Sequence, residues 1–305
     1  MITISLIGEQ PIPNLLPIKY QPPDVAVLVH TDRTQAAARR LERLLPGGCE
    51  AVACPVSPYN IQEIVHALQG LIAERDWTVA DLVFNLTGGT KAMALAAYLV
   101  AAHYGAPFIY LQSEGKQTRL YRYEFDADRI PQVLPDQWLP GLITIDDYIR
   151  AYVGDYQVTG FAKKKEDETG YLFERATHGA LEPVVDEIVA GVSLLGALEV
   201  DLLVRCDNQV GIVEVKTGAR ARRKEGIDQL NTVGGQRYLG TYTCKMLVLD
   251  QRWDKNRSNL RELAGARQIE VIELPSFCTS HCLSPEDVER LQRAVCKQLG
   301  REIKV

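Results

Sequence analysis

The sequence predicts an α/β protein built as two domains, each a sheet flanked by helices. Three observations carry this reading. The 305 residues are 46% hydrophobic and 24% charged, too much chain for one average domain and enough for two self-sufficient cores. Up to residue 130, short apolar runs alternate with amphipathic helical patterns, as in a parallel sheet covered by helices on both faces. Beyond a proline-rich stretch, Pro131 to Pro140, longer apolar strands surround a tight turn, and the pattern changes character.

Taken in order, Ile2–Ile7, Val25–His30, Leu82–Leu86 and Phe108–Leu111 read as buried strands. Thr34–Leu45, Tyr59–Asp76 and Thr90–Tyr104 carry helical periodicity. Aromatic and charged residues alternate in Tyr121–Phe125, which reads as an edge strand. Ile145–Tyr152 is expected as a short helix, and Val158–Thr169 is polar and linker-like. The expected division is a first domain over 1–135, a linker region over 136–160 and a second domain over 161–305. In the second half, Gly170–Ala190 is expected as a helix broken at Pro183. Leu198–Cys206 and Gln209–Thr217 are expected as strands flanking a turn at Asp207-Asn208. Helices follow at Lys224–Leu239 and Arg257–Ala266, with strands at Lys245–Asp250 and Ile269–Leu274. A last helix, Ser284–Leu299, starts on a Ser-Pro cap.

Charge and cysteine usage bound the function. The formal net charge of −5 argues against a protein that coats nucleic acid with a broad basic surface, though not against a local site. Basic residues cluster at Lys163–Lys165, read as a solvated linker, and at Arg220–Lys224. Seven cysteines at irregular spacing suggest reduced thiols and a cytoplasmic protein; Cys278, His281 and Cys282 lack the second pair a zinc site needs. No apolar run reaches membrane-spanning length, and the N-terminus lacks the features of a secretory signal.

The strand Leu82–Leu86 leads through Thr87-Gly88-Gly89-Thr90-Lys91 directly into a helix. Such a junction presents backbone N–H groups at a helix N-terminus, where they attract anions, and Lys91 adds charge. The loop is not a GxxxxGK[ST] motif, so ATP hydrolysis is not indicated. The first strand ends in Gly8-Glu9-Gln10-Pro11-Ile12-Pro13-Asn14, which in a doubly wound sheet faces the same crevice. Together these loops favour a nucleotide ligand. The strings SLIGEQPIPNLLPIKY and FNLTGGTKAMALAA resemble the CRISPR-associated Rossmann-fold sensor domain, CARF, as joined to a nuclease in type III CRISPR ancillary effectors. The resemblance implies a homodimer that binds a cyclic oligoadenylate, most often cyclic tetra-adenylate, across its interface. Carried onto this sequence, it implies contacts from Gly8, Glu9, Gln10, Pro11 and Asn14, and from Thr87, Gly88, Gly89, Thr90, Lys91 and Met93. Thr31 and Gln112 follow by position only.

In the second half, Glu199 and Asp201 share one strand face, as do Glu214 and Lys216. A turn centred on Asp207-Asn208 sets Asp201 opposite Glu214 and Glu199 opposite Lys216, with Val200, Leu202, Val204, Val213 and Val215 on the other face. Two facing carboxylates repel unless a cation neutralises them, and a divalent metal with oxygen ligands does so. The order Asp201…Glu214-Val-Lys216 resembles the PD-(D/E)XK nucleases, with Val200 in the place of the proline. Gly170-Tyr-Leu-Phe-Glu174 resembles that family's upstream helix, and Lys224–Leu239, with Gln229, the helix after its catalytic strand. The resemblance implies a restriction-endonuclease-like second domain, Mg²⁺ or Mn²⁺ held by Asp201, Glu214 and the Val215 carbonyl, and catalytic roles for Glu174 and Lys216. Glu199 is left between pairing with Lys216 and touching the metal. The substrate implied is DNA and/or RNA. Two rivals remain: a ligand-responsive binding protein with an inactive nuclease fold, and a ring nuclease that cuts the cyclic ligand itself.

Overall fold

A computed structural model describes residues 1–114, 116–161, 169–235, 238–253 and 258–302, and divides the chain into two compact units, Met1–Ile143 and Thr144–Val305. The first unit grows around β1 (Ile2–Leu6), whose five residues are all buried. It continues through α1 (Ile12–Tyr20), β2 (Val25–His30), α2 (Gln35–Glu42), β3 (Glu50–Pro55), α3 (Ile61–Glu74), β4 (Leu82–Asn85) and α4 (Lys91–Tyr104). β5 (Phe108–Glu114), β6 (Gln117–Phe125), β7 (Pro131–Val133) and β8 (Gln137–Trp138) complete it. The sheet order is β3-β2-β1-β4-β5-β6-β7, with β8 beside β6. Strands β1 to β5 pair in parallel, Ile2 lying beside both Val25 and Leu82, and β5–β6–β7 are antiparallel. This is the Rossmann-like α/β fold expected. From β1 the chain winds outward to β3, then returns to β4 on the other side, so the topological switch point lies between β1 and β4.

Several elements differ from expectation. The first loop is short, because α1 starts at Ile12. Pro11 caps it and Pro13 sits in the first turn, where a missing N–H costs nothing. Pro17 lies inside the helix and leaves the Pro13 carbonyl without its usual donor; Asn85 Nδ2 takes that place at 3.3 Å. β3 alternates exposed and buried residues at the sheet edge and carries too little apolar signal to stand out. β6 is an interior strand rather than an edge, because the proline-rich stretch supplies β7 and β8 as neighbours.

The second unit holds α5 (Ile145–Tyr152), β9 (Tyr156–Val158), α6 (Thr169–Leu181), β10 (Glu187–Leu194), β11 (Leu198–Cys206), β12 (Gln209–Lys216) and α7 (Glu225–Val233). β13 (Cys244–Leu249), α8 (Ser258–Ala266), β14 (Ile269–Glu273), α9 (Ser276–Ser280) and α10 (Pro285–Gln298) follow. The interval expected as a linker thus contains β8, α5 and β9. Helix α6 stops at Leu181, and Pro183 lies in the turn to β10, so the expected helical tail Glu187–Ala190 is strand instead. β9 to β12 form an antiparallel meander and β12–β13–β14 run parallel, in the order β14-β13-β12-β11-β10-β9. Phe173 of α6 and Leu291 and Val295 of α10 pack with Leu202, Val204, Val213 and Val215 in one core. The basic run Lys163–Lys165 lies outside the described residues. Among the described residues no helix is long and apolar enough to cross a membrane, and all seven cysteines are free thiols.

Candidate functional site

The loops at the switch point meet through backbone. A Cβ on Gly8 would lie 3.1 Å from the Gly89 nitrogen, and one on Gly88 only 2.0 Å from the Leu6 carbonyl oxygen. Only glycine permits this approach of the β4–α4 loop to the end of β1, and Gly89 also takes a left-handed φ of +71°. Thr90 caps α4: its hydroxyl accepts from Met93 N at 3.1 Å and donates to the Pro58 carbonyl at 2.6 Å. Met93 is fully buried beneath Gly89, its sulfur accepting from Thr90 N–H. Lys91 stands exposed in the first turn of α4, beside N–H groups that have no intrahelical acceptor.

Beneath the loops runs a buried polar network centred on Asn85. Its Oδ1 accepts from Thr87 N–H and the Thr87 hydroxyl, at 3.1 and 2.6 Å, and its Nδ2 donates to Asn14 Oδ1 at 3.2 Å. Asn14 Nδ2 donates to the Leu6 carbonyl, and the Thr87 hydroxyl accepts from Leu111 N–H at 2.8 Å. Asn14, Thr87, Thr90 and Met93 therefore hold the loops in shape. Thr31 is buried and bonded to Thr34, and Pro11 is buried at the start of α1. Glu9 forms an ion pair with Arg33, a residue that sits in a turn outside any motif and so gives no signal in the sequence. Gly8, Gly88 and Gly89 meet where the two loops approach each other, with Gln10 and Lys91 next to them in sequence, whereas Gln112 is exposed further along β5.

In the second unit, Leu202 lies opposite Val213, the register expected from the Asp207-Asn208 turn. The ladder ends there. Asp201 replaces it with a side-chain bond, its Oδ2 accepting from Val215 N–H at 2.7 Å. Glu214 is 2% exposed. Lys216 lies between the carboxylates, bonded to Glu214 and 3.8 Å from Asp201. Glu199 is exposed and in register with Ser193; among the described residues no ion pair joins it to Lys216. These charges lie on interior strands, so they are not the solvated fringe of an edge hairpin.

Burial dominates the electrostatics. It pushes the Glu214 carboxyl up to about 8, and the charge of Asp201 adds to the effect. Burial likewise raises Asp201, and Lys216 offsets this only in part. For Lys216, burial works downward, but Asp201 and Glu214 outweigh it and the net shift is upward. Glu174 on α6 is close enough for its charge to raise both Glu214 and Lys216. Gly226 of α7 lies over the site, where a Cβ would come within 2.7 Å of Leu247 and 3.7 Å of Glu214. Among the described residues no group of three or more His, Cys, Asp or Glu stands in a metal-holding arrangement. The available donors are the two carboxylates and neighbouring backbone oxygen.

A Rossmann-like unit with a glycine-rich loop at its switch point, followed by a unit with two carboxylates beside a lysine, has identifiable relatives. Residues 2–148 match the Card1 CARF domain, and the Rossmann-like fold of the first unit agrees with that match. Nearly the whole chain is similar in fold to Can2 from Sulfobacillus thermosulfidooxidans, whose structure is known in complex with cyclic tetra-adenylate. The TM-score is 0.71 at 15% identity, over 98% of this chain and 99% of that one. Protein VC1899 from Vibrio cholerae is similar with a TM-score of 0.69 and 13% identity, over 98% of each chain. A type III CRISPR defence DNA nuclease activated by cyclic oligoadenylate matches at 0.56 and 18% identity, over 83% of this chain and 46% of that one. At these identities the likeness is one of fold. No curated protein matches the sequence.

Proposed function

We propose that the protein is a cyclic-oligoadenylate-activated, metal-dependent nuclease of type III CRISPR defence, acting as a cytoplasmic homodimer. One observation carries the reading: a single chain joins the Gly88-Gly89 loop of a unit that matches the Card1 CARF domain to buried Glu214 and half-buried Asp201 and Lys216 on central strands. The fold shared with Can2, which binds cyclic tetra-adenylate, favours that ligand. Backbone N–H groups of Gly88, Gly89 and Lys91 would take its phosphates, and Lys91 supplies charge without requiring a basic surface.

The donor set of the second site suits Mg²⁺ or Mn²⁺. Two hard carboxylates with raised pKa values lack a counter-charge of their own beyond Lys216, and these cations need few protein ligands because they keep several waters. Asp201, Glu214 and the Val215 carbonyl would hold the metal. When bound, it supplies Lewis acidity toward the scissile phosphate and the attacking water. Lys216 would donate to the phosphoryl oxygens on which negative charge develops. Asp201 and Glu214 keep Lys216 protonated, Glu174 adds to them, and Gly226 of α7 lies against Glu214.

The homodimer is supported by α4, whose exposed face carries Lys91, Leu95 and Leu99 at four-residue spacing, with the leucines 56% and 52% exposed. A second copy on this stripe would bring two Lys91 side chains to one ligand. Leu95→Glu combined with Leu99→Glu is expected to yield a monomer by light scattering with at least about tenfold weaker ligand binding; an unchanged dimer would place the interface elsewhere. The decisive test of function incubates the protein with Mn²⁺, each cyclic oligoadenylate in turn, and labelled RNA, single-stranded DNA and plasmid. Cleavage only with an activator supports the reading. No cleavage with any of them supports a binding protein, and linearised activator without substrate cleavage supports a ring nuclease.

A further inference from the structure

The segment between β12 and α7 is more elaborate than a connection requires. It runs Thr217-Gly-Ala-Arg-Ala-Arg-Arg-Lys224, four cations and no acid, and starts directly after Lys216. The segment after β13 clamps it at three points. Asp250, 2% exposed, accepts from Gly218 N–H at 2.9 Å through Oδ2. Gln251 Nε2 donates to the Gly218 carbonyl at 2.5 Å, and its Oε1 accepts from Arg222 Nε at 2.7 Å. Trp253 Nε1 donates to the Ala221 carbonyl at 2.8 Å, and Ala221 is buried. Trp253 is itself fixed, with its N–H on Glu273 and Arg261 over its ring. Gly218 turns the chain at a φ of +54°; a Cβ there would meet only open space, so the turn needs glycine for its backbone freedom and not for its size.

Burying the Asp250 carboxylate with Oδ1 unpartnered is costly, and a loop that merely connects two elements would not need it. The clamp gains something specific: it orders the loop in advance while leaving Arg220, Arg222, Arg223 and Lys224 exposed. Arg220 has no acidic partner among the described residues, and Arg223 and Lys224 meet Glu225 and Asp228 only at 3.7 and 3.8 Å. Arg220 lies within about 14 Å of Lys216 by chain length alone. An anion site ordered before binding loses less conformational entropy when its ligand arrives.

We propose that this clamped loop is the site for the phosphodiester backbone of the substrate strand, with Arg220 and Arg223 contacting phosphates and Asp250, Gln251 and Trp253 as positioning residues. The proposal rests on the nuclease reading for the identity of the strand, but its test does not depend on cleavage. Binding of a short labelled single strand, DNA in one arm and RNA in the other, is followed by fluorescence anisotropy in EDTA across a KCl series, with and without cyclic tetra-adenylate. Arg220→Ala with Arg223→Ala is expected to weaken binding roughly tenfold and to reduce the slope of log K against log[KCl] by about 1.4, some 0.7 per lost phosphate contact. Gln251→Ala, which frees the loop without removing a cation, is expected to weaken binding several-fold and to leave the slope near the wild-type value. Where cleavage is measured, both variants lose more in KM than in kcat. Wild-type affinity and slope in the arginine variant overturn the proposal, as does failure of the wild-type protein to bind either strand. Salt-dependent binding lost in the arginine variant while the wild type cleaves nothing leaves this site standing and sinks the nuclease reading instead.

Discussion

Glu214→Gln is expected to abolish metal-dependent cleavage, by roughly 10³-fold or more, and at the same time to stabilise the metal-free protein above pH 7. Both effects come from one buried carboxyl. Its pKa is raised from the ordinary 4.5 to about 8, first by burial and then by Asp201. Between those two values the folded state keeps a proton that the unfolded chain releases, so stability falls as pH rises through that window. The loss amounts to roughly a few kcal/mol at most, since each tenfold change in proton affinity is worth about 1.4 kcal/mol. A neutral Gln cannot ionise, so the variant's melting temperature should decline less between pH 5 and 8 than that of the metal-free wild type, Asp201 keeping its own raised carboxyl in both. Mn²⁺ should raise the wild-type melting temperature more at pH 8 than at pH 6, because protons and metal compete for the same oxygens, and should leave the variant unmoved. Differential scanning fluorimetry across pH, with and without Mn²⁺, reads all of this. A variant that cleaves at the wild-type rate, or one that keeps the wild-type pH profile, removes Glu214 from the centre.

This site is largely legible in the sequence because strand geometry is simple. The Asp207-Asn208 turn sets the register, the two-residue period sets the faces, and Leu202 does lie opposite Val213. The period cannot show that the ladder breaks one pair later, so that Asp201 bonds Val215 N–H and Lys216 turns to Glu214 rather than to Glu199. That outcome depends on which neighbours surround the carboxylates, among them α7 with Gly226 against Glu214, and is a tertiary property. The first unit tells the same story with helices. Its parallel strands are continuous apolar runs and stand out, whereas α1 is hidden by three prolines. Pro11 and Pro13 are tolerated because they stand at the helix start, but Pro17 is tolerated for a reason outside its own segment: its missing donor is replaced by Asn85 from β4. In the sequence Asn85 is only a polar residue near the end of an apolar strand. Its role emerges only when β1, β4 and β5 are laid side by side and one amide proves to serve the loops above all three.

Gly88→Ala is expected to remove cyclic tetra-adenylate binding, by at least roughly 100-fold, whereas Lys91→Ala weakens it by only about tenfold. The difference separates shape from charge. A methyl group at Gly88 would sit 2.0 Å from the Leu6 carbonyl oxygen and 3.0 Å from Asn14 Nδ2. The first obstacle is backbone in the middle of a parallel sheet, which cannot rotate away as a side chain can. The Thr87–Lys91 loop must therefore lift from β1, breaking the Asn14–Leu6 bond and swinging the N–H groups of the α4 N-terminus out of line with the ligand. Removing Lys91 deletes one exposed charge and leaves those donors where they are; a partly exposed charge-assisted contact of this kind is worth roughly 1–2 kcal/mol. Titration calorimetry of both variants with cyclic tetra-adenylate distinguishes the two effects, with circular dichroism confirming that the Gly88 variant is folded. Equal losses in the two variants would make the site mainly electrostatic. Wild-type binding by Gly88→Ala would mean that the ligand does not use this crevice, however well its glycines suit one.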